Sequence, residues 1–382
     1  MTEYQSYRIM VFSWNTESVS LSETMDSNIS DYNRTSLSPY VPGLTTWQYT
    51  CFIPDFFPKL VDSILKTTPD LVVIGFQEDR HPGSYFHSHL LPEEMPKIGY
   101  GLVKRTRLMG VGVTSYKGLL KGDLYQRGIR VSIYAKLDLI PIIEKEEINM
   151  RASIGNDGQC EYICSSILTR GKGATASYII LPGFGRLAFI CCHLPFSSNS
   201  LILERNYQNP MLRQNEINES NICFNNIIEN LVLFNDPVPT HVIYFGDFNY
   251  RIADPRSAVD VSSEFNRHIG DISYMHNIYN KYDELYEQMR RKNIYDFSEG
   301  INNNGPMFSP TCKMVKGRDQ FDLQWETGRE DQRIPSWCDR ILYEKFNDPD
   351  HELICMDYNR FDYGIAMAQS DHAAVIALFV LV

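Results

Sequence analysis

Oxygen- and imidazole-bearing side chains recur at the ends of strand-like apolar runs, or just past them: Asn15, Glu78, His193, Asp247 with Asn249, Asp339, and Asp371 with His372. None of them is a thiol. Carboxylate and amide oxygens are the ligands that a hard cation such as Mg2+ takes, and imidazole and amide N–H groups donate to phosphoryl oxygens. The inventory therefore points to metal-assisted phosphate chemistry in one polar pocket. The stretch from His241 to Arg251 is its centre. An apolar and aromatic run enters Gly246, and Asp247 and Asn249 follow two apart, on the same side of an extended chain. Gly-Asp-Phe-Asn can equally be a turn opened by its Gly-Asp pair. Taken singly, the other residues also have plain structural readings as turns, helix caps or a hydrogen-bonded core histidine.

The elements that must position these residues alternate strands with a few helices. Tyr7 to Trp14 reads as a strand delivering Asn15, and residues 18–44 form a polar, turn-rich excursion that we take as a loop insertion. Asp55 precedes apolar residues at 56, 57, 60, 61, 64 and 65, which predicts an amphipathic helix reaching Lys66. Leu71 to Gln77 is a continuous apolar strand ending at Glu78. Gly99–Arg107 and Val111–Tyr116 resemble a hairpin, and Arg130–Leu137 another strand. Cys160–Thr169, Ala174–Leu181 and Arg186–His193 form an antiparallel run with a turn at Pro182-Gly183. Arg213–Leu233 predicts a second long helix, Ala258–His268 and Lys281–Arg291 further helical segments, and Arg340–Glu344 and Ala373–Leu381 the closing strands. Strands in adjacent pairs with helices between them predict an α/β fold of two packed mixed β-sheets flanked by helices, rather than a doubly wound parallel sheet. No repeat or linker divides residues 1–382, so one domain is expected.

The net charge of −11 and pI of about 5.3 argue against a nucleic-acid partner, which would need many clustered cations. An anionic substrate must then be held by local positive charge. The nine cysteines have neither small-domain disulfide spacing nor zinc-ligand spacing, so reduced, mostly buried thiols are expected. The N-terminal stretch lacks a basic-then-apolar leader, no apolar run approaches the roughly 20 residues of a membrane span, and a cytoplasmic protein is expected.

Phe245-Gly-Asp-Phe-Asn-Tyr-Arg251 and Arg333-Ile-Pro-Ser-Trp-Cys-Asp-Arg-Ile-Leu342 resemble the two signature motifs of the inositol polyphosphate 5-phosphatases. These belong to the Mg2+-dependent superfamily that also holds DNase I-like and AP endonucleases. Gly75-Phe-Gln-Glu78, Cys192-His-Leu194, Phe308-Ser-Pro-Thr-Cys-Lys313 and Ser370-Asp-His372 are similar to further family motifs in the same order. The resemblance implies a four-layer, DNase I-like α/β sandwich with its pocket at one edge of the two sheets. It also implies Mg2+-dependent hydrolysis of the 5-phosphate of phosphoinositides or soluble inositol polyphosphates. On that resemblance Glu78, Asn15 and Asp371 hold Mg2+, Asp247 orients and deprotonates water, and Asn249 fixes it. His372 contacts phosphate, oriented by Asp339, and His193 is a second phosphate donor. Lys313, Arg333, Arg340, Tyr250 and Arg251 bind substrate.

Family members that require a ring 4-phosphate usually place Tyr-Lys after Pro-Thr, and a lysine two residues before the arginine of the tryptophan motif. This chain has Cys312 and Asp331 there, which implies an altered 4-phosphate dependence, with Lys104, Arg105 and Arg107 as alternative cations or simply a solvated face. Apolar residues Tyr85-Phe86, Leu90-Leu91, Pro195-Phe196 and Leu201–Leu203 are candidates for peripheral membrane contact or for burial. A related endonuclease and a catalytically inactive scaffold are the rival readings.

Overall fold

The computed structural model of the protein describes residues 6–16, 56–81, 91–113, 124–144, 161–164, 172–195, 210–315, 320–321, 334–346, 348, 350–361 and 370–382. Its strands are β1 (Tyr7–Asn15), β2 (Leu71–His81), β3 (Tyr100–Val113), β4 (Leu124–Lys136), β5 (Glu161–Ile163), β6 (Gly173–Leu181), β7 (Gly185–His193), β8 (His241–Asp247), β9 (Ser298–Glu299), β10 (Asp339–Lys345), β11 (Leu353–Arg360) and β12 (Val375–Leu381). They form two six-stranded mixed sheets. Sheet one runs β11-β12-β1-β2-β4-β3 and sheet two β5-β6-β7-β8-β10-β9. The helices are α1 (Phe56–Thr67), α2 (Leu91–Glu94), α3 (Pro210–Ile228), α4 (Ala258–Arg267), α5 (Ile272–Tyr282) and α6 (Glu284–Arg290).

Period-two patterning decides what each face buries. On β7, Leu187, Phe189 and Cys191 join the core between the sheets, while Ala188, Ile190 and Cys192 face an outer core closed by Phe224, Ile227 and Leu231 of α3 and its continuation. On β8, Ile243 and Phe245 point inward and Val242 and Tyr244 outward by the same rule. α1 buries Leu60 and Ile64, one helical turn apart, at 0% exposure. The two sheets approach so closely beneath the site that a Cβ on Gly75 would meet Phe245 Cε2 at 2.3 Å.

Several expectations need correction. The hairpin expected at 99–116 is one continuous strand, β3, paired along its length with β4; its glycines at 110 and 112 do not break it. The helix expected over Lys281–Arg291 is instead α5 and α6, meeting at Asp283, whose carboxylate caps α6 by accepting the Tyr286 N–H at 2.9 Å. Strand β11, antiparallel to β12, is an addition to the expected strands. Cys164 and Cys223 form a disulfide, against the expectation of reduced thiols, while Cys191, Cys192, Cys312, Cys338 and Cys355 are free and buried. The excursion at 18–44 lies outside the described residues, as do Arg333, Asp331 and the candidate apolar tips apart from Leu91, which is buried, and Pro195.

Candidate active site

The site forms where the inner faces of both sheets run out of apolar side chains. Ile243 and Phe245 of β8 are followed on the same face by Asp247, Phe189 and Cys191 of β7 by His193, and Tyr343 and Ile341 of β10 lead back to Asp339. Cross-strand register aligns these polar ends: His193 stands opposite Asp247, and Asp247 opposite Asp339. In sheet one, Asn15 ends β1 beside Gln77 of β2. Alternation would turn Glu78 away from the core that Gln77 faces. A shift in register between Phe76 and Asp79, with Glu78 at φ 54°, rotates its carboxylate back toward the site.

Side chains from both sheets then meet. Asn15 Nδ2 donates to Asp247 Oδ2 at 2.7 Å. His193 Nε2 lies 3.3 Å from the same oxygen and 3.6 Å from Glu78 Oε1. His372 Nδ1 is 2.8 Å from Asp339 Oδ2, which also accepts the Thr311 hydroxyl at 2.7 Å. Ser370 fixes this segment, donating to Asn15 O at 2.6 Å and accepting the His372 N–H at 3.1 Å, and Trp14 Nε1 donates to His372 O at 3.0 Å. Asp371 lies on the far side of His372, with Oδ2 3.5 Å from Lys313 Nζ.

Electrostatics separate the roles of the carboxylates. Burial raises the Asp247 carboxyl, but the His193 hydrogen bond and the positive potential of His193, His372 and Lys172 outweigh it and hold Asp247 ionised well below the carboxylate range. Burial likewise raises Asp339, to about 6, against the opposing pull of His372 and Thr311. His372 is lowered by burial, but the Asp339 carboxylate and the Cys312 sulfur together outweigh it, so the pair keeps its shared proton on the imidazole. His193 is pulled below the ordinary imidazole range by burial first and by Lys172 second.

The assigned positions divide accordingly. Asn15, Glu78, His193, Asp247, Asn249, Asp339, Asp371 and His372 are brought to one end of the sandwich. Arg340 is not available to a substrate: it is 0% exposed, and its guanidinium pairs with Asp283 at 3.0 Å and with Glu299. Tyr250 is buried in the outer core with its hydroxyl on Asn221 at 2.7 Å, so it too is corrected to a structural role. Arg251 lies beneath the site and donates to Asn249 Oδ1 at 2.9 Å and to Cys312 Sγ at 3.7 Å. Asn249 does not share an extended strand face with Asp247. At φ 58° the chain turns, and Asn249 gives its N–H to Asp247 Oδ1 at 3.0 Å and its amide to Leu194 O at 2.9 Å. Two contributors were missed. Thr311 braces Asp339, and Lys172, whose ammonium lies against His193 Nε2, is a lone lysine between glycines that no spacing rule singles out.

The donors fit a hard cation, being carboxylate and amide oxygens without a thiolate among them, and Asp339 Oδ1 is buried without a hydrogen-bond partner. Asp247, Asp339 and His372 bring ligand atoms within 4.8 Å of one another. Of the residues assigned to Mg2+ by resemblance, Glu78 and Asn15 lie beside Asp247 and His193, whereas Asp371 lies on the Lys313 side of His372.

The sequence profile of Endonuclease/Exonuclease/phosphatase family 2 matches residues 12–378. The inositol-1,4,5-trisphosphate 5-phosphatase 1 of Schizosaccharomyces pombe is 30% identical over 36% of this chain, a stretch that is only 10% of that protein's length. The type IV inositol polyphosphate 5-phosphatase 9 of Arabidopsis thaliana is 23% identical over 94% of this chain and 81% of its own. Among solved structures, the inositol polyphosphate 5-phosphatase domain of SPsynaptojanin, in complex with inositol (1,4)-bisphosphate and calcium ion, superposes with TM-score 0.58, 21% identity, and coverage of 98% and 84%. A Cimex nitrophorin ferrous NO complex does so with TM-score 0.57, 14% identity and 98% of both chains. Such likenesses establish the fold, and a fold shared with nitrophorin does not by itself assign an activity. The profile match over nearly the whole chain places it in Endonuclease/Exonuclease/phosphatase family 2.

Proposed function

We propose that the chain is a Mg2+-dependent inositol polyphosphate 5-phosphatase, acting on phosphoinositides or soluble inositol polyphosphates. The observation that carries this reading is the Asp247 carboxylate, held ionised between Asn15 and His193 and opposite the Asp339–His372 pair. Asp247 orients and deprotonates the attacking water, and the Asn249 turn fixes its carboxylate. His372, protonated by its pairing with Asp339, donates to the phosphoryl group. On the other flank the Lys172 ammonium supplies the positive potential that binds the phosphate, and His193 is a second donor to it. Glu78 and the Asn15 amide would hold Mg2+, which when bound neutralises charge on the scissile phosphate. Hydrolysis is in line, without a covalent enzyme intermediate.

Substrate choice rests on Lys313, beside Asp371 at the rim, and on Cys312, which is 1% exposed and accepts from Arg251, so it offers no group in place of the family's tyrosine. We therefore propose a weakened dependence on the ring 4-phosphate. Contact with a lipid surface would be peripheral and cytoplasmic; among the described residues no helix is long and apolar enough to cross a membrane. The test is phosphate release over a panel of soluble and lipid inositides, with and without Mg2+. Release from 5-phosphorylated rings alone, abolished by chelation, supports the proposal. No release from any of them overturns it.

A further inference from the structure

One row of residues crosses sheet two at the site. Ile163 of β5 stands opposite Gly173, Gly173 opposite His193, His193 opposite Asp247, and Asp247 opposite Asp339. The outer end of this row is its weakest part. β5 has three residues, lies at the sheet edge, and leaves Ile163 38% exposed, and so short a ladder does not hold itself in place. It is held by the next residue. Cys164 is bonded to Cys223 of α3, with Cα atoms 5.7 Å apart, inside the usual disulfide range. The Cys164 backbone N–H donates to Lys172 O at 3.0 Å, and the Lys172 ammonium lies against His193 Nε2. β5 is pressed tightly onto the row: a Cβ at Gly173 would meet Tyr162 O at 2.1 Å.

We infer that the Cys164–Cys223 disulfide is a positioning device for Lys172, so that its redox state sets how tightly the site holds a phosphate. α3 is a firm anchor, because Cys223 is buried beside Phe224 and Ile227 in the outer core. A dithiol reductant breaks the S–S bond. Two electrons and two protons pass to Cys164 and Cys223, and the reductant leaves as its own cyclic disulfide. β5 is then held by its short ladder and the packing of Tyr162 on the outer core, and the Lys172 carbonyl loses the fixed Cys164 N–H that ties its backbone to the edge. The Asp247 and His372 arrangement, held from β8, β10 and the segment before β12, does not depend on the bond, so the loss falls on anion binding and not on chemistry. The inference rests on the phosphatase reading only for its kinetic readout.

The experiment compares the full chain before and after mild dithiol treatment, with Lys172→Met beside it. The expected result is a rise in KM of about tenfold on reduction, with kcat within about twofold, reversed by reoxidation. Lys172→Met is expected to show the raised KM in both redox states and no response to reduction, which a merely structural bond would not produce. Calorimetric binding of inorganic phosphate with Mg2+ is the second measurement, and it needs no turnover. Weaker binding by the reduced protein supports the inference even if no inositide is hydrolysed, in which case only the proposed function fails. Equal phosphate binding in the two states overturns it. So does a peptide map of the unreduced protein in which Cys164 and Cys223 are both free to alkylate.

Discussion

Asn15 and Asp247, 232 positions apart and on different sheets, meet through a 2.7 Å hydrogen bond from the amide to the carboxylate. The bond ties the sandwich shut at the site and commits one Asp247 oxygen. The Asn249 N–H, at 3.0 Å, commits the other. A carboxylate held at both oxygens is pre-oriented, which is what a general base needs.

Asp247→Asn keeps the shape and removes the base. kcat for inositide hydrolysis is expected to fall by about 10^2- to 10^4-fold, with circular dichroism and melting temperature little changed. A folded Asp247→Asn protein with ordinary turnover would refute the assignment.

The Asp339–His372 pair sets the pH profile. His372 has a raised pKa, so its imidazolium is fully present below the unfolded value of about 6.5 and is lost as pH rises through the folded value, giving the alkaline limb. The acid limb belongs to Asp339, which takes up a proton near its raised pKa of about 6, because Asp247 stays ionised far lower. Asp339→Asn is expected to move the alkaline limb of kcat/KM to lower pH and to abolish the acid limb near 6. An unchanged profile would show that other groups titrate.

Arg340 should report on folding. It is fully buried between Asp283 and Glu299, so Arg340→Met leaves two buried carboxylates uncompensated, at a cost of about 3–5 kcal/mol in denaturant melts. Any residual folded enzyme should keep its KM. A raised KM with unchanged stability would return Arg340 to the substrate.

Lys313 sits at the rim with a 15% exposed side chain. If the 4-phosphate subsite is weakened, kcat/KM for a 4,5-bisphosphorylated ring should exceed that for a ring lacking the 4-phosphate by less than about tenfold, or about 1.4 kcal/mol. A far larger ratio in a paired assay would sink the idea.

Abasic DNA is expected to be left intact at enzyme concentrations that hydrolyse inositides. The chain carries a net charge of −11, and backbone binding needs many clustered cations. Cleavage on a denaturing gel would favour the endonuclease reading.

The strand ends were legible because the apolar-to-polar switch that marks them in sequence is the same switch that ends the core between the sheets. Phe245 to Asp247 and Cys191 to His193 show it on adjacent strands. The succession of strands in adjacent pairs with helices between them likewise marks the two-sheet architecture. Strand alternation fails where the chain leaves regular structure: it puts Asn249 on the face of Asp247, yet the strand ends at Asp247 and a turn takes over. A motif also does not say which side of the strand a residue faces. Arg340 follows Asp339 directly, so the alternation that brings the aspartate to the site carries the arginine away from it. The Cys164–Cys223 pairing is a contact between an edge strand and a helix 59 residues apart, and linear spacing carries no trace of it.

The alignment of His193, Asp247 and Asp339 on one line across neighbouring strands also constrains how this lineage can vary in length. Losing one codon inside β7, β8 or β10 would swing the affected polar end to the outer layer, whereas losing two would restore its facing but draw it back by one step. Variation in chain length among descendants should therefore collect in the connections and spare these strands.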